Sequence, residues 1–158
     1  MAIADLTNTP IALITSDAVV RGIHTTTIKI DLSLNTTGAI DDVHTIYELP
    51  AGAALLPASA GYITTILAGG LASSNFRFKR GANDLGYQGI TGEAVGTGFA
   101  LGPAYAAAGS AGAYDAAVSD ITLTLAAAAT SGVIVLVLVW ADIGNALSAG
   151  YREGDGTV

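Results

Sequence analysis

A chain of 158 residues with formal net charge −7 and no cysteine excludes a disulfide framework, a thiolate metal site and a cysteine nucleophile, and its acidity repels nucleic-acid phosphates. Hydrophobic residues make up 51%, yet 30 Ala beside 20 Gly fill little core volume, and charged residues reach only 12%. One domain with so few charges points to surface withheld from bulk water, which a subunit interface would explain, because the centres of such interfaces are depleted of charge, and which a membrane would also explain.

Residues 1–22 contain Pro10 and show no clean period, so they are expected as an extended N-terminal arm. The start, Met1-Ala2-Ile3-Ala4-Asp5-Leu6, has no basic residue, and Asp5 and Pro10 interrupt any apolar run; no secretory signal is expected, and folding in the producing cell's cytoplasm follows. A β-sandwich domain is expected over 23–144 and a C-terminal tail over 145–158.

The clearest strand alternates Ile28, Ile30, Leu32 and Leu34 with Lys29, Asp31, Ser33 and Asn35, and the turn residues Asn35-Thr36-Thr37-Gly38 end it. Val43–Leu49 is a second strand, closed by Pro50-Ala51-Gly52, and 62–67 a third, stopped by Gly69-Gly70. In the fourth, Asn75–Arg80, Phe76 and Phe78 share one face and Arg77 and Lys79 the other. Residues 81–118 are Gly/Ala-rich with Tyr87, Phe99, Tyr105 and Tyr114 as isolated anchors, expected as a long loop or a loop-strand-loop excursion.

The uncharged stretch 121–141 is long enough to cross a bilayer as a helix. Its pattern argues for a β-hairpin instead. Ile121-Thr122-Leu123-Thr124-Leu125 alternates, a small-residue turn region follows, and 133–140 is dominated by branched residues. No membrane association is expected. Strands separated by turn signals, with no amphipathic helix, give an all-β, jelly-roll-like antiparallel β-sandwich. Its last strand is apolar on both faces, so one face needs cover from the Gly/Ala-rich loop or from a second subunit.

Catalytic chemistry is thinly supplied. The histidines are His24 and His44, and there is no Gly-x-Ser-x-Gly elbow, phosphate-binding Gly-x-x-x-x-Gly-Lys or His-Glu-x-x-His helix. His44 and Glu48 are expected on one strand face, without an identifiable third ligand, which favours solvated polar residues over a metal pair. Asp41-Asp42, Asp84 and Glu93 are turn or edge acids rather than calcium ligands, and Gly89-Ile90-Thr91-Gly92 lacks the context of a phosphate cradle. No catalytic, metal or cofactor-binding residue is expected. Arg77, Lys79 and Arg80 place half of the six cations within four residues; they are candidates for docking an acidic partner surface, set against the plainer role of guarding an edge strand.

The run Thr45-Ile46-Tyr47-Glu48-Leu49-Pro50-Ala51-Gly52, a Gly/Ala-rich excursion, and Tyr114-Asp115-Ala116-Ala117-Val118-Ser119-Asp120-Ile121-Thr122-Leu123-Thr124-Leu125 leading to Val139-Trp140-Ala141-Asp142 resemble small virion structural proteins of tailed bacteriophages. Head decoration, or cement, proteins are among them. The resemblance implies a jelly-roll-like sandwich, often trimeric, that binds the major capsid protein on the exterior of the shell by contact rather than chemistry. It implies the arm and the basic strand as capsid-facing elements and the Gly/Ala-rich loop as a subunit-facing one. A tail or fibre subunit shares this composition. In another class stands a carbohydrate-binding module using Trp140 or exposed tyrosines as stacking platforms, although Trp140 after so apolar a run is expected to be buried.

Overall fold

Alternating side chains dominate the residues described by the computed structural model, which are 11–20, 22–34, 43–68, 75–89, 95–101, 115–125 and 131–143. In chain order the strands are β1 (Ala12–Val20), β2 (Ile23–Asp31), β3 (Val43–Leu49), β4 (Ala53–Leu55), β5 (Ala60–Ala68), β6 (Asn75–Arg80), β7 (Asn83–Gly89), β8 (Gly98–Ala100), β9 (Ser119–Leu125) and β10 (Ser131–Asp142). They form a 6-stranded sheet in the order β1-β2-β10-β5-β8, with β4 paired to the far end of β10, and a 4-stranded sheet in the order β3-β9-β6-β7. All pairings are antiparallel. Apart from β1 and β4 the pairs nest as in a long hairpin folded over on itself: β6 with β7, β5 with β8, β3 with β9, β2 with β10.

The two sheets face each other as a β-sandwich, and the alternation decides which side chains lie between them. Ile134, Leu136, Leu138 and Trp140 of β10 meet Ile121, Leu123 and Leu125 of β9 in one buried cluster, with Ile28, Ile30, Ile63, Phe76 and Phe78. Each large side chain buried there contributes about 1.5–3 kcal/mol. Phe99 of β8 packs edge-on to Phe76, with ring centres 5.3 Å apart, and parallel to Phe78 at 5.9 Å. It fits because position 61 is glycine: a Cβ there would overlap the Phe99 ring and a Leu136 methyl.

Several sequence expectations change. The strands expected to form a hairpin over 121–140 do not pair; β9 lies in the 4-stranded sheet and β10 in the 6-stranded one. Each has its own inward apolar face, and alternation reports a face without naming a neighbour. Within 1–22, expected as an arm, residues 12–20 are strand β1, hydrogen-bonded along β2, so the boundary drawn at 22/23 falls inside a β-hairpin; Gly22 takes φ +75° in its turn. The strand expected over 28–35 begins earlier and ends at Asp31, whose Oδ1 accepts hydrogen bonds from the Ser33 amide (3.2 Å) and hydroxyl (2.6 Å) and starts a 3-10 turn at Leu32–Leu34. Leu32 thereby folds into the core. The Gly/Ala-rich excursion contains β7, a hairpin partner of β6, and β8, which pairs with β5.

β3 and β6 have the expected ends. The turn 35–38, Asp41, Asp42, Glu93, Tyr105, Tyr114, the tail 145–158 and the first ten residues lie outside the described residues. Among the described residues no helix is long and apolar enough to cross a membrane.

Candidate assembly surface

β10 is the centre of the largest sheet, between β2 and β5, and its outward residues are Val133, Val135, Val137 and Val139. Each stays half-buried by neighbours in the same sheet, and no element of the described chain covers the row. Cross-strand register extends this face: Val139 lies opposite Thr25, Val137 opposite Thr27, Val135 between Lys29 and Tyr62. On β1, Leu13 pairs with Lys29 and Val20 with Ile23, which adds two side chains 64% and 68% exposed beside the exposed Ile23.

Lys29 and Asp31 are the charges on this face in β1, β2, β5 and β10, and they pair with each other at 3.6 Å. The Ser33 hydroxyl bond holds the Asp31 carboxyl below its ordinary value; burial opposes this, while the Ser33 amide and Lys29 assist. Among the described residues the face therefore mixes valines with the hydroxyls of Ser16, Thr25 and Thr27 and carries no net charge, on a chain of −7.

The outer face of the 4-stranded sheet is different in kind. Thr122 and Thr124 lie on its inner strand β9, with Thr45 opposite Thr122 on the edge strand β3, Glu48 lies opposite Asp120, and Arg77 pairs with Asp84 at 3.6 Å. Lys79 also lies opposite Asp84 across the β6–β7 hairpin. Arg77 and Lys79 thus project outward as expected. Arg80 does not, which corrects its place in the basic docking strand: it is 1% exposed. Period two puts it on the same face as Phe76 and Phe78. Inside, its Nε donates to Ser119 Oγ (2.8 Å) and an Nη to the Ala53 carbonyl (2.9 Å), tying β6 and β9 to β4 across the sandwich. Burial pulls the guanidinium below its ordinary pKa, and Asp115 opposes the shift.

His44 and Glu48 do not share a face. A register shift between Thr45 and Tyr47 inserts an extra residue, so His44 pairs with inward Leu123 and Glu48 with outward Asp120. Among the described residues no group of three His, Asp or Glu is placed to hold a metal ion. Trp140, a candidate sugar platform, is 5% exposed and stacks on His24 at 3.7 Å between ring centres. Its Nε1 donates to Thr26 Oγ1 at 3.4 Å, and that hydroxyl donates to Asp17 at 2.9 Å. Both flat sides of the indole are therefore unavailable to a sugar ring, leaving Tyr62 as the exposed aromatic ring among the described side chains.

Sequence reasoning missed β1. It packs chiefly on β2, and Leu13, Ile14, Val19 and Val20 are all exposed. The signal is present as apolar pairs at 13–14 and 19–20, but a bulge between Ile14 and Ser16 breaks the alternation that marks a strand. No protein-family model matches the chain, no curated protein matches it, and no solved structure matches it.

Proposed function

We propose that the protein is a non-enzymatic structural subunit of a tailed-bacteriophage virion, of the decoration type that binds the outside of the capsid shell as a homo-oligomer, with a trimer implied by the resemblance. The observation that carries this is the apolar, charge-balanced outer face of the 6-stranded sheet. Such a face is ordinary at a protein interface and uncommon toward bulk water. The nested pairing of β2 with β10, β3 with β9, β5 with β8 and β6 with β7 supports a jelly-roll fold. The burial of Trp140 weighs against the carbohydrate-binding alternative.

Function on this proposal is binding. A subunit that contacts the major capsid protein only in the assembled shell adds free energy to that state alone, about 2.7 kcal/mol per site at a hundredfold excess over Kd. Arg77 and Lys79 are the capsid-facing candidates from the basic strand, Arg80 being internal. The test is sedimentation with expanded empty heads of the phage that carries the gene. The protein is expected to travel with the heads and to raise their melting temperature. Protein that remains at the top of the gradient overturns the decoration role, and protein that travels with isolated tails moves the assignment to a tail subunit.

A further inference from the structure

Resting on the assembly role just proposed, we infer that the Val133–Val135–Val137–Val139 face of the 6-stranded sheet is a contact with a second copy of this chain, rather than the surface that meets the shell. Three observations select that occupant. The first is charge. Two copies of a chain at −7 repel, and they approach most easily through a face whose charges cancel; Lys29 and Asp31 do so. The same two residues offer an incoming copy one cation and one anion, so identical faces need not oppose like charges.

The second is size. From β1 to β8 the sheet is five strands wide, and β2 is 9 residues long. At about 4.8 Å per strand and about 3.3 Å per residue the face is roughly 24 by 30 Å, or about 700 Å² per copy. Stable interfaces bury about 800 Å² on each partner.

The third is shape. Valines and threonines alternate between neighbouring strands as low, branched ridges, Val137 beside Thr27 and Val139 beside Thr25. A pleated surface of this kind packs against another pleated sheet at about 10 Å. Leu13, Val20 and Ile23 widen the apolar area at the β1 side, and Tyr62 does so on β5.

The experiment uses the full chain. Because a face that packs on its own copy closes as a two-fold pair, light scattering coupled to size exclusion is expected to give a mass twice that of the single 15.7 kDa chain. Val135→Lys at the centre of the face is expected to shift it to one chain mass, whereas Thr122→Lys on the opposite sheet leaves the oligomer intact. Because the chain has no cysteine, Val137→Cys and Thr122→Cys each supply one unique thiol. A short bismaleimide crosslinker is expected to join copies through Val137→Cys and not through Thr122→Cys, which decides the matter even if the lysine variant fails to fold. A monomeric wild-type chain, or crosslinking equal at the two positions, overturns the inference. A wild-type monomer that still sediments with heads removes the self-contact while leaving decoration. An oligomer that ignores heads keeps the self-contact and removes decoration.

Discussion

The two outer faces of this sandwich are built from the same strand geometry with opposite surface chemistry. On the 4-stranded sheet, threonines are bordered by Glu48, Asp120, Arg77, Lys79 and Asp84, as expected of a β-surface in water. On the 6-stranded sheet a row of valines runs along the central strand, and the charges of β2 are reduced to one mutual pair. The inner faces of β9 and β10 are both buried in the one core, while β1 leaves Ile14 and Val19 exposed on its inner side, so the core does not account for the valines on the outer side of β10. Where stability is indifferent to surface composition, an apolar face is best explained by what meets it. On the assembly role proposed above, the asymmetry would separate the part of the sequence that makes the fold from the part that makes contacts.

The largest expected effects come from removing what joins the two sheets. Arg80→Ala withdraws donors from Ser119 and the Ala53 carbonyl and leaves a cavity; a loss of about 3 kcal/mol or more is expected in urea unfolding. Retention of wild-type stability would show that the inter-sheet tie is dispensable. Gly61→Ala drives a methyl into Phe99 and Leu136 and is expected to cost about 1–3 kcal/mol, with a lowered Tm as the readout.

Exchanging the surface chemistries sharpens the comparison more gently. Val135→Thr and Thr124→Val are each expected to stay within about 0.5 kcal/mol of wild-type stability, with only the first weakening self-association measured by sedimentation velocity. Equal effects on association would erase the distinction between the faces. Arg77→Ala breaks an exposed ion pair with Asp84 and is expected to change stability by less than about 0.5 kcal/mol.

The smallest effect is one of pH. Because its folded pKa lies below the ordinary 3.8, Asp31 stabilises the fold fully above that value, and its contribution disappears as pH falls through the lowered pKa. Thermal melts carried from pH 5 to below pH 3 are expected to show a shallower acid loss in Asp31→Asn than in wild type.

The sequence disclosed strands more readily than neighbours. β3 and β6 have the ends that the sequence predicts, β3 closed by the turn residues Pro50-Ala51-Gly52, and the inward face of β9 follows from period two, because burial on one side imposes that period directly, whereas β10 is legible as a strand from its branched residues. Pairing is set by contacts far apart in the chain, which leave no local trace; β9 and β10 read as a hairpin and lie in opposite sheets. Bulges account for two further differences. An extra residue near Ile46 reverses the parity that would have put His44 beside Glu48, and another at Thr15 hides β1. Arg80 was legible in principle, since it shares parity with Phe76 and Phe78, but a cation at the end of a basic run is read as exposed unless that parity is followed to its last residue. The apolar outer face was legible in the valines of β10; the contribution of Leu13 and Val20 required β1 to be placed.

The position of β10 has a kinetic consequence. It separates β2 from β5 in the 6-stranded sheet, yet it is the last of the three to leave the ribosome. Until it emerges, β2 and β5 have no strand between them, and the sheet lacks its middle. Closing that gap joins residues more than a hundred positions apart, such as Trp140 with His24, a topology associated with slow folding. The valine row arrives on the same strand that completes the sheet. The outward valines therefore do not exist as a surface until the strand that closes the interior is in place.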